Sequence, residues 1–229
     1  MRRLSIIMPV LNEEARIAQR LSELTSMRGV GEVRVVDGGS DDETVAIARG
    51  FPEATVLSAG RGRARQMNAG AQGASGEVLL FLHADVTLPP DAPEQVERTL
   101  SAPGVVAGAF KTWTVPDAGP TRLAPLLHLA DLRSRYSRLP YGDQALFVRA
   151  DAFRAVGGYP NQPLMEDLEL SRRLSRIGRI GLSDARVRVS GRRFLSRPLF
   201  YFAAINLFPA LYRAGVSPEA LMRFYPNVR

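Results

Sequence analysis

The sequence predicts an α/β domain with a mostly parallel central sheet flanked by helices. Three observations carry this. In residues 1–115 short apolar runs alternate with polar, helix-patterned stretches, the mark of repeated strand–helix units. Three of the strand segments lead into polar residues, Asn12, Asp37 and Asp85, at what would be the ligand-binding edge of an open sheet. The 229 residues suffice for one full core, and no repeat, low-complexity tract or flexible linker divides them. One continuous domain over 1–229 is expected, with halves at 1–115 and 116–195 and a C-terminal helical segment over 196–229.

Taken in order, residues 5–10 read as a buried strand and 13–25 as a helix capped by Asn12, with Glu13 and Glu14 in its first turn. Residues 32–36 form the second strand. Ser40-Asp41-Asp42-Glu43 has the form of a capping box opening a helix that runs to about Arg49. A short strand over 54–57, a helix over 64–73, a strongly apolar strand over 78–82, a helix over 91–100 and a strand over 105–114 follow. Beyond these the pattern is less regular. Residues 121–138 read as a basic helix, 145–149 as a strand, 151–156 as a short helix and Gly157-Gly158-Tyr159-Pro160 as a turn. Glu166 opens a helix to about Ile177, with Leu168, Leu170 and Leu174 inward and Arg172, Arg173 and Arg176 outward. A strand over 187–189 and two helices, after Pro198 and Pro218, complete the chain.

Composition narrows the chemistry. With 45% hydrophobic and 23% charged residues, the chain is neither disordered nor a multi-span membrane protein. It has no cysteine, which excludes disulfides, thiolate metal sites and thiol nucleophiles. Its two histidines, His83 and His128, exclude a three-histidine metal site within one chain. The formal charge of +7 is uneven: residues 1–115 hold 12 basic against 14 acidic side chains, and 116–229 hold 18 against 9. All basic residues but Lys111 are arginine, whose planar forks suit phosphates and phospholipid headgroups. No nucleic-acid-binding motif accompanies them.

Met1-Arg2-Arg3 before an apolar run imitates a signal peptide, but Asn12-Glu13-Glu14 follows it rather than a cleavage site. The stretch from Leu199 to Tyr212 is shorter than the ~20 apolar residues a span needs. A cytoplasmic protein is expected, with peripheral attachment to the inner face of a membrane as an option. Arg192, Arg193 and Arg197 ahead of Leu199-Phe200-Tyr201-Phe202 fit a segment lying on anionic lipid, but a helix covering the core or a homodimer interface is the preferred reading.

Four constellations are candidates for chemistry. Asp37-Gly38-Gly39-Ser40 sets a carboxylate at a strand end before a helix start, where a ligand backbone approach or a plain capped turn both fit. Gly60-Arg61-Gly62-Arg63-Ala64-Arg65 offers three arginines to phosphates, or is a solvated loop. His83 and Asp85 fall on one side of the chain at the end of the most apolar strand. There Asp85 could hold Mg²⁺ or Mn²⁺ with substrate phosphates, or cap a helix. Glu166-Asp167 is placed either as a general base for a hydroxyl or as simple complements to a helix dipole.

Together and in order, Pro9-Val10-Leu11-Asn12-Glu13-Glu14, Asp37-Gly38-Gly39-Ser40-Asp41-Asp42, Asn68-Ala69-Gly70, His83-Ala84-Asp85 and Glu166-Asp167 resemble the family 2 glycosyltransferases of the GT-A fold. The resemblance covers about residues 4–190. It implies a Rossmann-like core with C-terminal helices, a nucleotide-sugar donor held by 1–115 and an acceptor held by 116–195. On it, Pro9, Leu11 and Glu13 line the nucleotide pocket and Asp37 meets the base. Arg61, Arg63 and Arg65 are the candidates to reach the base or diphosphate. Asp85 matches the metal-binding last acid of a D-x-D motif, Asp167 matches the catalytic base with Glu166 beside it, and Asp143 and Gln144 resemble the acceptor-side loop.

The implied reaction is transfer of a sugar from a nucleoside diphosphate, UDP by family frequency, to an acceptor hydroxyl. It proceeds with inversion, assisted by Mn²⁺ or Mg²⁺. His83 replaces the first acid of D-x-D, which removes one negative charge from the metal site. Gly191-Arg192-Arg193-Phe194 does not match the Q-x-x-R-W of processive members, so single transfer is expected. The acceptor is undefined, lipid-linked molecules included. A sugar nucleotidyltransferase is the alternative enzyme, although its glycine–arginine loop follows the first strand whereas residues 60–65 here follow the third. A catalytically weakened nucleotide-sugar-binding protein at a membrane surface is the non-enzymatic alternative.

Overall fold

The computed structural model describes residues 3–117, 119, 121, 127, 128, 131, 132, 134 and 139–225. Its strands are β1 (Leu4–Val10), β2 (Val30–Asp37), β3 (Ala54–Ser58), β4 (Val78–Phe81), β5 (Val86–Thr87), β6 (Val105–Val115), β7 (Phe147–Arg149) and β8 (Arg179–Ser190). They form one sheet in the order β3-β2-β1-β4-β7-β6-β8-β5. Among the described residues β1–β2, β1–β4, β2–β3 and β6–β8 pair parallel, while β4–β7, β6–β7 and β5–β8 pair antiparallel. The helices are α1 (Glu14–Thr25), α2 (Thr44–Arg49), α3 (Arg63–Ala71), α4 (Ala92–Leu100), α5 (Ala150–Ala155), α6 (Glu166–Ile177), α7 (Arg192–Ser196), α8 (Pro198–Arg213) and α9 (Pro218–Met222).

Strand β1 is apolar almost throughout because both faces of the parallel sheet are covered. Its side chains alternate: Ile6 and Met8 pack with Ile17, Leu21 and Leu24 of α1 and Val96 and Leu100 of α4. Ile7 packs on the other face with Met67 of α3, Phe81, Phe153 and Leu170. Helix α3 lies unusually close to the sheet. A Cβ at Gly70 would stand 2.4 Å from Ile7 Cγ2 and 2.8 Å from Val36 Cγ2, which explains a glycine inside this helix despite its cost. Helix α6 buries Leu168, Leu170 and Leu174 as its periodicity predicts, and the likewise buried Glu169 accepts hydrogen bonds from Arg172 and Arg173.

Local differences from the sequence reading have physical causes. Asn12 does not cap α1. It adopts a left-handed conformation (φ 54°), its side chain accepts from the Asp41 amide, and its own amide donates to Ser40 Oγ. The amides of Glu13 and Glu14 are met instead by Thr44 Oγ1 and Asp42 Oδ2. The capping box at Ser40–Glu43 does not form either: Ser40 Oγ donates to Asp37, and Asp42 accepts from the Thr44 amide. Strand β8 is far longer than 187–189, because β6 supplies a parallel partner from Arg179 onward. The basic helix expected over 121–138 lies largely outside the described residues. No helix among the described residues is long and apolar enough to cross a membrane.

Candidate active site

The carboxyl end of β1, the turn after β4 and the start of α3 surround a cavity of about 280 Å³. Pro9, Leu11, Glu13, Arg61, Arg63, His83 and Asp85 line it, joined by Gln66 and Arg193. Gln66 is buried and its Nε2 donates to the carbonyls of Val10 and Val36, both at 2.8 Å, tying the ends of β1 and β2 together. Gly38 makes room for it, since a Cβ there would come within 2.9 Å of that nitrogen. Asp37 is spent on its own loop, accepting from the amides of Gly39 and Ser40 and from Ser40 Oγ. Arg65 donates to Asn161 Oδ1 at 3.1 Å. Asp37 and Arg65 therefore lie outside this lining.

The C-terminal segment returns to the same edge. Arg192 Nη2 reaches both carboxylate oxygens of Glu13, at 3.0 and 3.2 Å, and Arg193 Nη2 lies 3.9 Å from Asp85 Oδ2. Arg193 thus lines the cavity, while Arg192 holds the Glu13 side of it. Burial alone would push the Asp85 carboxyl up, but Arg193, His83, Arg63 and Arg192 overcome it and hold the group below its usual range. Burial, with Arg63 and Arg193 against the opposing pull of Asp85, drives His83 down to about 3, so its ring is neutral at pH 7. Burial opposes the charge of Arg63, yet Glu166, Tyr225, Asp85 and Asp167 hold its pKa above the ordinary value.

A second cavity of about 220 Å³ adjoins the first. Arg63, His83, Asp85 and Arg193 line both. Asp143, Glu166 and Asp167 face the second one, and α8 closes its far side. Asp167 sits in the first turn of α6, where Oδ2 accepts from the Gly142 amide at 2.6 Å and Oδ1 from the Leu168 amide at 2.7 Å. Glu166 is buried, and that burial together with the Asp167 charge pushes its carboxyl up to about 7 against the pull of Arg63. Gly142 is required sterically: a Cβ there would stand 2.9 Å from His83 Cε1 and 3.4 Å from Asp167 Oδ2. Gln144 turns away, with Nε2 donating to the Phe110 carbonyl and Oε1 accepting from the Tyr141 amide.

Sequence reasoning missed Gln66 and the inward role of Arg193. Gln66 lies in the Arg65-Gln66-Met67-Asn68 run at polar helix positions, with no spacing that reveals a tie between two strand ends. Asn68 was legible as a motif, and its purpose is now concrete. Its side chain donates to the Tyr159 carbonyl and accepts from the Tyr159 amide, which clamps the turn before α6.

Among the described residues no cluster of three or more acidic, histidine or cysteine side chains surrounds a metal position. An ionised Asp85 and a neutral His83 in one cavity nevertheless provide two hard or borderline donors. A divalent ion needs no more when substrate phosphates complete its shell. The residues fit such an ion in that restricted sense.

The fold has close counterparts among solved structures. A mannosyltransferase from Pyrobaculum calidifontis, solved with GDP-Man and Mn²⁺, superimposes with a TM-score of 0.67 at 18% identity over 97% of this chain and 68% of its own. Staphylococcus aureus TarS (residues 1–349) gives 0.64 at 19% identity, covering 97% and 69%. Glucosyl-3-phosphoglycerate synthase from Mycobacterium tuberculosis, with Mn²⁺ and UDP, gives 0.59 at 23%, covering 82% and 71%. At these identities the likeness establishes the GT-A fold. In sequence, glycosyltransferase AglE of Haloferax volcanii is 32% identical over 169 residues, 69% of this chain; the chain spans 56% of that relative's length. Residues 5–156 match the model of glycosyl transferase family 2. They contain the β1, β2 and β4 edges, Asp37, Arg63, His83 and Asp85, so the site is built largely on the matched segment, and the chain belongs to glycosyl transferase family 2.

Proposed function

We propose that this protein transfers one glycosyl group, with inversion, from a nucleoside diphosphate sugar to an acceptor hydroxyl. The observation that carries this reading is the junction of two cavities at Arg63, His83, Asp85 and Arg193, with the Asp167 carboxylate on the acceptor side. The donor lies against Pro9, Leu11 and Glu13 with its diphosphate toward Arg63 and Arg193. Asp167 accepts the proton of the acceptor hydroxyl as the new bond forms between that oxygen and the anomeric carbon. The bond from the anomeric carbon to the diphosphate oxygen breaks, and the leaving charge falls among the two guanidiniums. Asp85 and His83 would hold Mn²⁺ or Mg²⁺, which supplies further neutralisation of the diphosphate when bound.

UDP is the nucleotide we assign. Three of the similar structures carry UDP or UDP-GlcNAc, two of them of TarS, and another carries GDP-Man. Peripheral contact with anionic lipid is part of the proposal. Leu199, Leu207 and Phe224 are 84%, 52% and 72% exposed, and the exposed Arg197, Arg213 and Arg223 flank them. Co-sedimentation with anionic but not neutral vesicles is expected, and its absence removes the membrane contact alone.

The deciding experiment incubates the protein with UDP- and GDP-sugars and measures released nucleotide. Release of nucleoside diphosphate supports the reading. Release of pyrophosphate, or tight binding without turnover, overturns it.

A further inference from the structure

The second cavity has two chemically different ends. Its base end carries Asp143, Glu166 and Asp167. Its opposite wall is made by Tyr201, Ala204, Ile205, Phe208 and Pro209 of α8, together with Tyr225. Helix α8 is seated by Ala204 and Phe208, which pack with Leu164 and Leu221. The ring of Tyr201 and the side chain of Ile205 stay only half-buried.

Apart from the Tyr201 and Tyr225 hydroxyls, which the wall itself carries, several polar groups near it are already engaged. Asp131 accepts from Thr112 Oγ1 and from the amide and hydroxyl of Thr114. Ser134 Oγ donates to the Asp131 carbonyl and accepts from the Thr112 amide. Asn206 on α8 returns its side chain to the Phe202 carbonyl. A saccharide pushed against this wall would lose hydration of several hydroxyls with few partners to replace it, a cost of about 1–3 kcal/mol for each unpaired group. An apolar chain or ring there gains on every methylene it buries.

We infer that the acceptor is an amphiphile: one hydroxyl at the Asp167 end, attached directly to an apolar body that lies along α8. This rests on the transferase reading above and names its acceptor class. No bond beyond the glycosyl transfer already written is required.

The test uses the full-length protein and primary alcohols of increasing length, butan-1-ol, hexan-1-ol and octan-1-ol, with maltose as the polyhydroxylated probe, all by titration calorimetry. Affinity is expected to rise about threefold to fourfold per added methylene until the wall is covered, with maltose weaker than octan-1-ol. Ala204→Phe, which fills the wall, should flatten the chain-length gain. Ala203→Ser, on the exposed side of α8, should keep it. Equal affinity across the alcohols, or maltose binding more tightly, overturns the assignment without relying on any variant. So does a gain that survives Ala204→Phe and disappears in Ala203→Ser. Hydrolysis of nucleotide sugar without acceptor, measured in parallel, reads the transferase proposal separately: its loss strikes that proposal, whereas a flat alcohol series with hydrolysis intact strikes only the acceptor class.

Discussion

The backbone amide of Gly142 donates a 2.6 Å hydrogen bond to Asp167 Oδ2, and the space where a Cβ would sit is filled by the His83 ring at 2.9 Å. One glycine thus fixes the Asp167 carboxylate against His83, the residue proposed here to border the reacting sugar. Gly142→Ala must shift either the imidazole or the 3-10 turn Gly142–Gln144. Turnover should fall by about 10-fold to 100-fold, since small displacements of a reacting group carry costs of that order. Donor affinity should change much less. Steady-state release of nucleoside diphosphate, with a separate nucleotide titration, checks both.

Glu13 and Arg192 join the first helix to the C-terminal segment through the 3.0 and 3.2 Å contacts at the edge of the donor cavity. Arg192 is partly exposed (side chain 35%), so the pair is worth at most about 1 kcal/mol in stability. A double-mutant cycle of Glu13→Gln and Arg192→Ala in urea should return a coupling of that size. The same variants should raise the donor KM several-fold, because Arg192 then no longer holds the Glu13 wall.

Much of this site was legible. The apolar runs that become β1, β2 and β4 lead into the polar residues Asn12, Asp37 and Asp85, so the sheet edge that carries the cavity could be read from where the runs stop, although Asp37 itself stays outside the lining. The first turns of α1 and α2 were not, because Asn12 reaches across to Asp41 while Thr44 and Asp42 reach back. Capping between two neighbouring loops leaves no local spacing. Strand β8 was hidden because only two of its residues, Ser183 and Val187, are buried; a half-exposed strand does not show a clean alternation. Arg193 was hidden for a different reason. Its approach to Asp85 depends on the return of the chain after β8, and its sequence neighbours are those of an amphipathic helix.

Glu166 gives a pH signature. In the unfolded chain its carboxyl ionises near its ordinary value of 4.5, and in the fold near 7. Between those values the unfolded state has lost its proton while the folded state keeps it. Stability from this group is therefore full below about 4.5 and declines as pH rises to about 7, by a few kcal/mol in all. Urea midpoints measured from pH 5 to pH 8 should decline more steeply in the wild type than in Glu166→Gln. Equal slopes would remove the raised pKa.

Chelation reads the metal. In the proposed reaction Asp85 and His83 would offer a divalent ion two protein donors, so affinity for the ion should depend on the nucleotide sugar's diphosphate. EDTA should reduce nucleoside diphosphate release, Mn²⁺ or Mg²⁺ should restore it, and Asp85→Asn should prevent the restoration. Residual turnover in EDTA is expected to be larger than in a site without arginines, because Arg63 and Arg193 still face the leaving group.

The central claim is that Asp167 takes the acceptor proton. Asp167→Asn keeps an acceptor for the Gly142 amide and nearly the same volume, so folding and donor binding should be retained. The measurement is single-turnover transfer at saturating donor with the nucleotide Kd determined on the same preparation. The account predicts a loss of about 10²–10⁴-fold in rate with donor affinity within about twofold of wild type. A variant that transfers sugar at a near wild-type rate would contradict it.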